Sequence, residues 1–196
     1  GHTVTIVNPE SYEKGHVGHQ IKAGFYRELG KVLKKDALVA SNSSSMGPVI
    51  LGGFFSEGGG DPSQLVNKHL LSQAEHPMMQ LVEVVRGAKT TDEAVATAHA
   101  FTGSIKKTPV LLADGSAGFL VNAGLAAYWA EAEAIYLEGT PIEKIDKALR
   151  EQIFPMGPFE LGDAAGLDVA AGLFDTIAKE TPPAVEPLIW KIRETG

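Results

Sequence analysis

The chain begins as alternating short apolar runs and amphipathic stretches. Residues 2–7 (His-Thr-Val-Thr-Ile-Val) are rich in β-branched side chains and stop at Asn8-Pro9, which predicts a strand closed by a turn. Ile21, Phe25, Leu29 and Val32 recur at helical spacing, so residues 21–33 predict a helix, and Lys34-Lys35 follow where cations suit a helix C-terminus. Residues 37–40 read as a second strand, broken by the polar string Ser41-Asn42-Ser43-Ser44-Ser45. Residues 47–62, rich in Gly and Pro and containing Gly58-Gly59-Gly60, predict a loop. Residues 65–71, 81–85 and 109–112 read as strands, and the Ala-rich residues 91–102 as a helix with Thr90 as N-cap. Strands alternating with helices predict a parallel α/β sheet.

From Ser116 the period is helical throughout. Residues 117–137 are apolar nearly all round, which predicts a helix enclosed by neighbours or by a second subunit. Gly139-Thr140-Pro141 ends it. A helix with Ile142, Ile145 and Leu149 on one face follows. Pro155-Met156-Gly157-Pro158 predicts a turn whose second Pro sits at N1 of a third helix, with a run to Ala178, then Pro182-Pro183 and a short last helix. The change of period places a domain boundary near Asp114-Gly115, dividing the chain into residues 1–115 and 116–196.

Composition narrows the classes. The 196 residues carry 17 Lys plus Arg against 24 Asp plus Glu, a net charge of −7, with 44% hydrophobic and 21% charged residues. That balance is a packed soluble protein of one or two domains rather than a disordered chain. The acidic charge argues against nucleic acid, whose phosphates need a basic face. Without cysteine there are no disulfides or thiolate metal sites, which fits a reducing compartment. No signal-peptide pattern stands at the N-terminus. Residues 117–137 include Glu131 and Glu133, each costing roughly 2.5–3.5 kcal/mol at membrane depth. The expected setting is therefore the cytoplasm or an organellar matrix, neither secreted nor in a membrane.

Among polar residues, His69 and Glu83 lie in consecutive strand-like runs. Neighbouring strands could bring the imidazole to the carboxylate, which would orient the ring and raise its basicity, as a general base requires. A surface histidine beside a solvent-facing glutamate is the commoner outcome of such a pattern, and the residues alone leave both open. Ser41 to Ser45 follow a strand, where α/β sheets bind ligands, but composition alone favours a polar turn or helix cap. Asn122 is an amide inside an apolar helix and needs a partner, structural or ligand. His2, His16 and His19 near one terminus read as incidental rather than as a metal site. There is no G-x-G-x-x-G, H-E-x-x-H or Walker motif.

The ordered series is more specific than composition. Residues 39–45 (Val-Ala-Ser-Asn-Ser-Ser-Ser), His69-Leu-Leu-Ser72, residues 79–85 (Met-Gln-Leu-Val-Glu-Val-Val), residues 118–122 (Gly-Phe-Leu-Val-Asn), residues 145–149 (Ile-Asp-Lys-Ala-Leu), residues 154–161 (Phe-Pro-Met-Gly-Pro-Phe-Glu-Leu) and residues 163–169 (Asp-Ala-Ala-Gly-Leu-Asp-Val) occur in turn. This series resembles the L-3-hydroxyacyl-CoA dehydrogenases, including the dehydrogenase part of multifunctional fatty-acid β-oxidation proteins, from about residue 21 to residue 178. The resemblance implies an α/β Rossmann-like NAD-binding domain over 1–115, incomplete at its N-terminus, and an all-α C-terminal domain over 116–196 for substrate binding and dimerisation. It implies His69 as base, Glu83 as its orienting carboxylate, Ser44 near the substrate hydroxyl and nicotinamide, and Asn122 near the acyl carbonyl. Lys22, Ser44 and Ser72 are the implied cofactor contacts. The implied partners are acyl-CoA, NAD and a second copy of the chain in a homodimer.

The departures from that family also carry expectations. Its opening strand, G-x-G-x-x-G turn and helix are missing. Asn8 stands where an acid would hold the ribose, and Val17 where a cofactor-contacting glutamate belongs. Ser72 replaces a common Asn, Ala123 replaces Arg, and the Gly- and Lys-containing tail is absent. Incomplete NAD binding is expected, from a fragment or a degenerate relative. The competing readings are a silent member that binds acyl-CoA or a partner subunit, and a hydroxyacid dehydrogenase acting on a non-CoA substrate.

Overall fold

The structure is a computed structural model. It describes residues 4–7, 16–34, 36–44, 46–70, 79–113, 117–152, 154–179 and 187–195. The chain divides into two compact units, Gly1–Gly115 and Ser116–Gly196.

The first unit runs β1 (Val4–Val7), α1 (His16–Val32), β2 (Leu38–Ser41), α2 (Pro48–Glu57), β3 (Leu65–Leu70), β4 (Leu81–Arg86), α3 (Asp92–Ser104) and β5 (Thr108–Ala113). The five strands form one sheet in sequence order. β1, β2 and β3 are parallel, β4 is antiparallel to β3, and β5 is parallel to β4. The purely parallel sheet expected from the sequence is thus corrected. Only residues 71–80 join β3 to β4, fewer than the dozen or more that a parallel crossover takes.

Alternation divides the strands between two cores. Leu38, Ala40, Val66 and Val84 face Ala94 and Ala98 of α3. Val39 and Leu65 face the other way, against Tyr26 of α1 and Leu51 and Phe55 of α2. α2 occupies the segment expected to be a loop. Pro48 starts it at a position that needs no N–H, and Leu51 and Phe55, four residues apart, bury one face. Gly58 to Gly60 do form the turn that follows α2, and Gly58 also permits close packing. A Cβ on Gly58 would lie 1.9 Å from the Arg27 carbonyl oxygen of α1.

The N-cap of α3 is Thr91, whose side chain accepts from Ala94 N; Thr90, expected in that role, has another. Its hydroxyl accepts from Gly87 N at 2.9 Å and donates to Leu65 O at 2.7 Å, tying the turn after β4 to the start of β3.

The second unit comprises α4 (Phe119–Leu137), α5 (Ile142–Gln152), α6 (Pro158–Ala165), α7 (Leu167–Ile177) and α8 (Leu188–Thr195). Ala126 and Trp129 of α4, Ala170, Ala171 and Phe174 of α7, and Ile189 of α8 form its core. Within this unit α4 is not enclosed all round: Leu120 and Leu137 are 58% and 54% exposed.

Buried carboxylates join these helices at their ends. Asp146 of α5 accepts from Phe159 N at 2.9 Å and Glu160 N at 3.2 Å, satisfying the orphan amides of α6. A Cβ on Gly157 would sit 2.3 Å from that carboxylate, so residue 157 must be glycine for the cap to form. Glu133 of α4 accepts from Leu188 N at 2.7 Å in the same way at α8. Burial raises the Glu133 carboxyl above its ordinary value, and the Leu188 and Ile189 amides oppose that shift.

Candidate active site

β2 and β3 are parallel and end side by side. Ser41 is the last residue of β2 and pairs with Asn67, while β3 continues to Leu70. The loop from residue 42 therefore leaves the sheet beside the last residues of β3, at the carboxyl edge where α/β sheets bind ligands.

His69 stands near that end, directly across the antiparallel ladder from Glu83. Side chains so paired start with Cβ atoms about 5 Å apart on one face. His69 Nδ1 and Glu83 Oε2 approach to 2.6 Å. Glu83 is fully buried and His69 only 7% exposed, so the surface reading of this pair is set aside. With the carboxylate accepting from Nδ1–H, Nε2 carries the basic lone pair. A charge-assisted bond of this kind is worth about 1.5–3 kcal/mol, and it holds the ring in one tautomer and orientation.

The serine loop is built around Ser43. Its N–H donates to Ser41 Oγ at 3.2 Å, and its hydroxyl accepts from Met46 N at 3.3 Å and from the Lys22 amine at 3.4 Å. Burial pulls the Lys22 amine below its ordinary value. Ser44, one residue on, is exposed. Two asparagines fasten the loop to β3: Asn42 Oδ1 accepts from Leu70 N at 2.8 Å, and Asn67 Nδ2 donates to Ser43 O and Met46 O at 2.8 and 2.9 Å.

Residues 17–115 match the family model described as the NAD binding domain of 3-hydroxyacyl-CoA dehydrogenase, and residues 118–196 its C-terminal domain. The chain belongs to the 3-hydroxyacyl-CoA dehydrogenase family. Fatty acid oxidation complex subunit alpha of Shewanella sp. (strain ANA-3) is 39% identical over 175 residues, covering 89% of this chain and 23% of the relative. The chain thus spans less than a quarter of the curated relatives it matches. Among solved structures, FadB2 of M. tuberculosis superposes with a TM-score of 0.81 at 29% identity, covering 97% of this chain and 66% of that one. Escherichia coli K12 3-hydroxybutyryl-CoA dehydrogenase gives 0.81 at 28%, covering 98% and 39%. A third, 5-formyl-3-hydroxy-2-methylpyridine 4-carboxylic acid 5-dehydrogenase, an NAD+-dependent dismutase, gives 0.70 at 27%, covering 98% and 60%.

NAD is the cofactor of this dehydrogenase family's N-terminal domain. The carboxyl edge offers a dinucleotide a half-buried amine at Lys22, the Ser43 hydroxyl beside it and Ser44 open to solvent. The glycine turn that cradles pyrophosphate in many such sheets does not occur in the sequence.

Of the residues expected at the site, His69 meets Glu83, and Lys22 reaches the neighbour of Ser44. Asn122 lies half-buried in the first turns of α4 in the helical unit, just past Gly118 and Phe119, both at positive φ. Ser72, Ser45, Asn8 and His2 lie outside the described residues, as do the side chains of His16, Val17 and His19. Among the described residues no cluster of acids and histidines forms a metal site, and no helix is long and apolar enough to cross a membrane.

Asn67 and Asn42 also serve this site, though no motif in the sequence marks them. The only local sign of Asn67 is an amide two residues before His69, on the same face of a strand that is buried almost throughout. A cavity of about 240 Å³ in the helical unit, lined by Trp129, Glu133, Tyr136, Phe159, Leu167 and Leu188 among others, includes none of the expected site residues.

Proposed function

We propose that this chain carries the substrate-side machinery of an NAD-dependent dehydrogenase that interconverts L-3-hydroxyacyl-CoA and 3-ketoacyl-CoA in fatty-acid oxidation. The observation that carries the reading is the buried 2.6 Å His69–Glu83 pair at the carboxyl edge of the sheet. In the oxidative direction His69 Nε2 takes the proton of the substrate 3-hydroxyl, and Glu83 stabilises the resulting imidazolium and keeps the ring aimed. Such a base contributes about 10²–10⁴-fold. NAD, when bound, would supply the acceptor for the hydride that leaves C3. Ser44 hydrogen-bonds the reacting oxygen, Asn122 steadies the acyl carbonyl, and Lys22 contacts the dinucleotide.

The test is reduction of acetoacetyl-CoA followed as loss of NADH absorbance. Turnover by the chain that disappears in His69→Ala is the expected result. Tight acyl-CoA binding without turnover would support a silent member instead. The likeness to a pyridine-carboxylic-acid dehydrogenase favours a second reading, a substrate without CoA. Turnover of a small free hydroxyacid but not of its CoA ester would select it.

A further inference from the structure

We infer that Asn67 is a positioning residue of the dehydrogenase site, whose buried carboxamide latches the serine loop to the histidine strand and so sets Ser44 against His69. The inference rests on the dehydrogenase reading of that pair.

Asn67 is wholly buried, and its side chain points to the same sheet face as His69, two residues further along β3. Its Nδ2 donates to both Ser43 O and Met46 O, the two carbonyls flanking the segment that carries Ser44. Only an NH2 group can serve two carbonyls at once, which fixes which end of the amide faces the loop. Its Oδ1 has no hydrogen-bond partner among the described residues. A buried unmet acceptor costs about 1–3 kcal/mol, and an apolar residue of similar size would avoid it. What an apolar residue cannot do is hold two loop carbonyls 24 and 21 residues away in the chain.

Asn42 makes the opposite tie, accepting from the Leu70 amide just beyond His69. The loop is thereby bound to β3 on both sides of the histidine. Without the Asn67 tie, the remaining restraints on Ser43 are its own turn contacts and the 3.4 Å bond from Lys22.

Two variants test this on the full chain. Asn67→Asp keeps the shape but presents acceptors to both carbonyls, and Asn67→Ala removes the group. Hydrogen exchange is read first. The Ser43 and Met46 amides should exchange faster in both variants, while β4 and β5 keep their protection. Unchanged exchange at those two amides overturns the latch, whatever the enzymology. With acetoacetyl-CoA and NADH, kcat should fall about 10–10²-fold with acyl-CoA KM little changed, the size of loss expected when a reacting group is misplaced by an ångström. In a Ser44→Ala background the same substitution should cost less than about threefold, because the two side chains act on one step. An equal loss in both backgrounds would mark Asn67 as merely structural. If the unaltered chain has no dehydrogenase turnover, the functional reading fails, and the exchange result alone decides the latch.

Discussion

Both units bury carboxylates, and they use them differently. In the sheet unit Glu83 faces an imidazole across a strand pair. In the helical unit Asp146 and Glu133 face backbone amides at the starts of α6 and α8. A carboxylate that meets an imidazole aims the ring; one that meets helix amides closes a joint. Removing the first should therefore cost turnover and spare the fold, and removing the second should do the reverse.

The largest expected effect is at the ring. His69→Ala should lower kcat for acetoacetyl-CoA reduction by about 10²–10⁴-fold while leaving acyl-CoA affinity nearly unchanged. Glu83→Gln should retain more turnover, since the amide still fills the site but no longer stabilises an imidazolium. Equal losses in the two variants would mean that the carboxylate does more than orient the ring. Full turnover in His69→Ala would refute the base assignment and leave the pair a structural bond.

On the helical side, Asp146→Ala should destabilise the second unit by about 1–2 kcal/mol, the range for a lost helix cap. It should appear as a lower thermal midpoint for the helical transition, with kcat moving far less than in His69→Ala. A variant as stable as the parent would remove the division of labour between the two kinds of carboxylate. The Pro155-to-Pro158 turn, which is part of the family resemblance, has a physical reason here. Gly157 admits the Asp146 carboxylate to the first amides of α6.

The opposite face of β3 gives a further contrast, a buried cation that meets an aromatic ring and no carboxylate among the described residues. Lys68 is 2% exposed, its amine lies 4.1 Å from the centre of the Phe101 ring, and burial lowers its pKa to about 8. A cationic group with a depressed folded value destabilises the fold as pH falls. Its favourable contribution is complete above its ordinary 10.5 and is lost as pH drops through about 8. Lys68→Met should therefore stabilise the sheet unit at pH 7 by about 1–2 kcal/mol, after allowing for the lost cation–π contact. The gain should shrink above pH 8 and vanish near pH 10.5. Denaturant midpoints at pH 7 and pH 10 measure it, and a gain that does not depend on pH would assign the effect to packing.

How much was legible from sequence follows the same division. Strand alternation placed His69 and Glu83 on consecutive strands, and the short 71–80 connection made an antiparallel pair available, so the central geometry was readable. Long-range ties were not. Asn67 reaches carbonyls more than 20 residues back, and Asp146 caps a helix 13 residues ahead, bonds that leave no period in the chain. α2 was hidden for a different reason. Its glycines suggest a loop, while the Leu51 and Phe55 face that makes it a helix spans little more than one turn. The reversal of β4 and β5 was implicit in a connection length, not in any residue type.

The smallest effect concerns Glu133, and its sign separates capping from charge. Burial raises its carboxyl above 4.5, so folding favours the protonated form. The stabilisation tied to that proton is complete below 4.5, the unfolded value, and is lost as pH rises through the higher folded value. Glu133→Gln keeps an oxygen that can accept from Leu188 N but cannot ionise. Between pH 4.5 and 7 the parent should lose stability relative to the variant, so their thermal midpoints should converge at the acid end and separate toward neutrality, with the variant higher. A variant whose deficit grows from the acid end toward neutrality would instead mean that the ionised carboxylate is the better cap. The Leu188 and Ile189 amides would then outweigh desolvation, and Glu133 would join Asp146 as a plain structural joint.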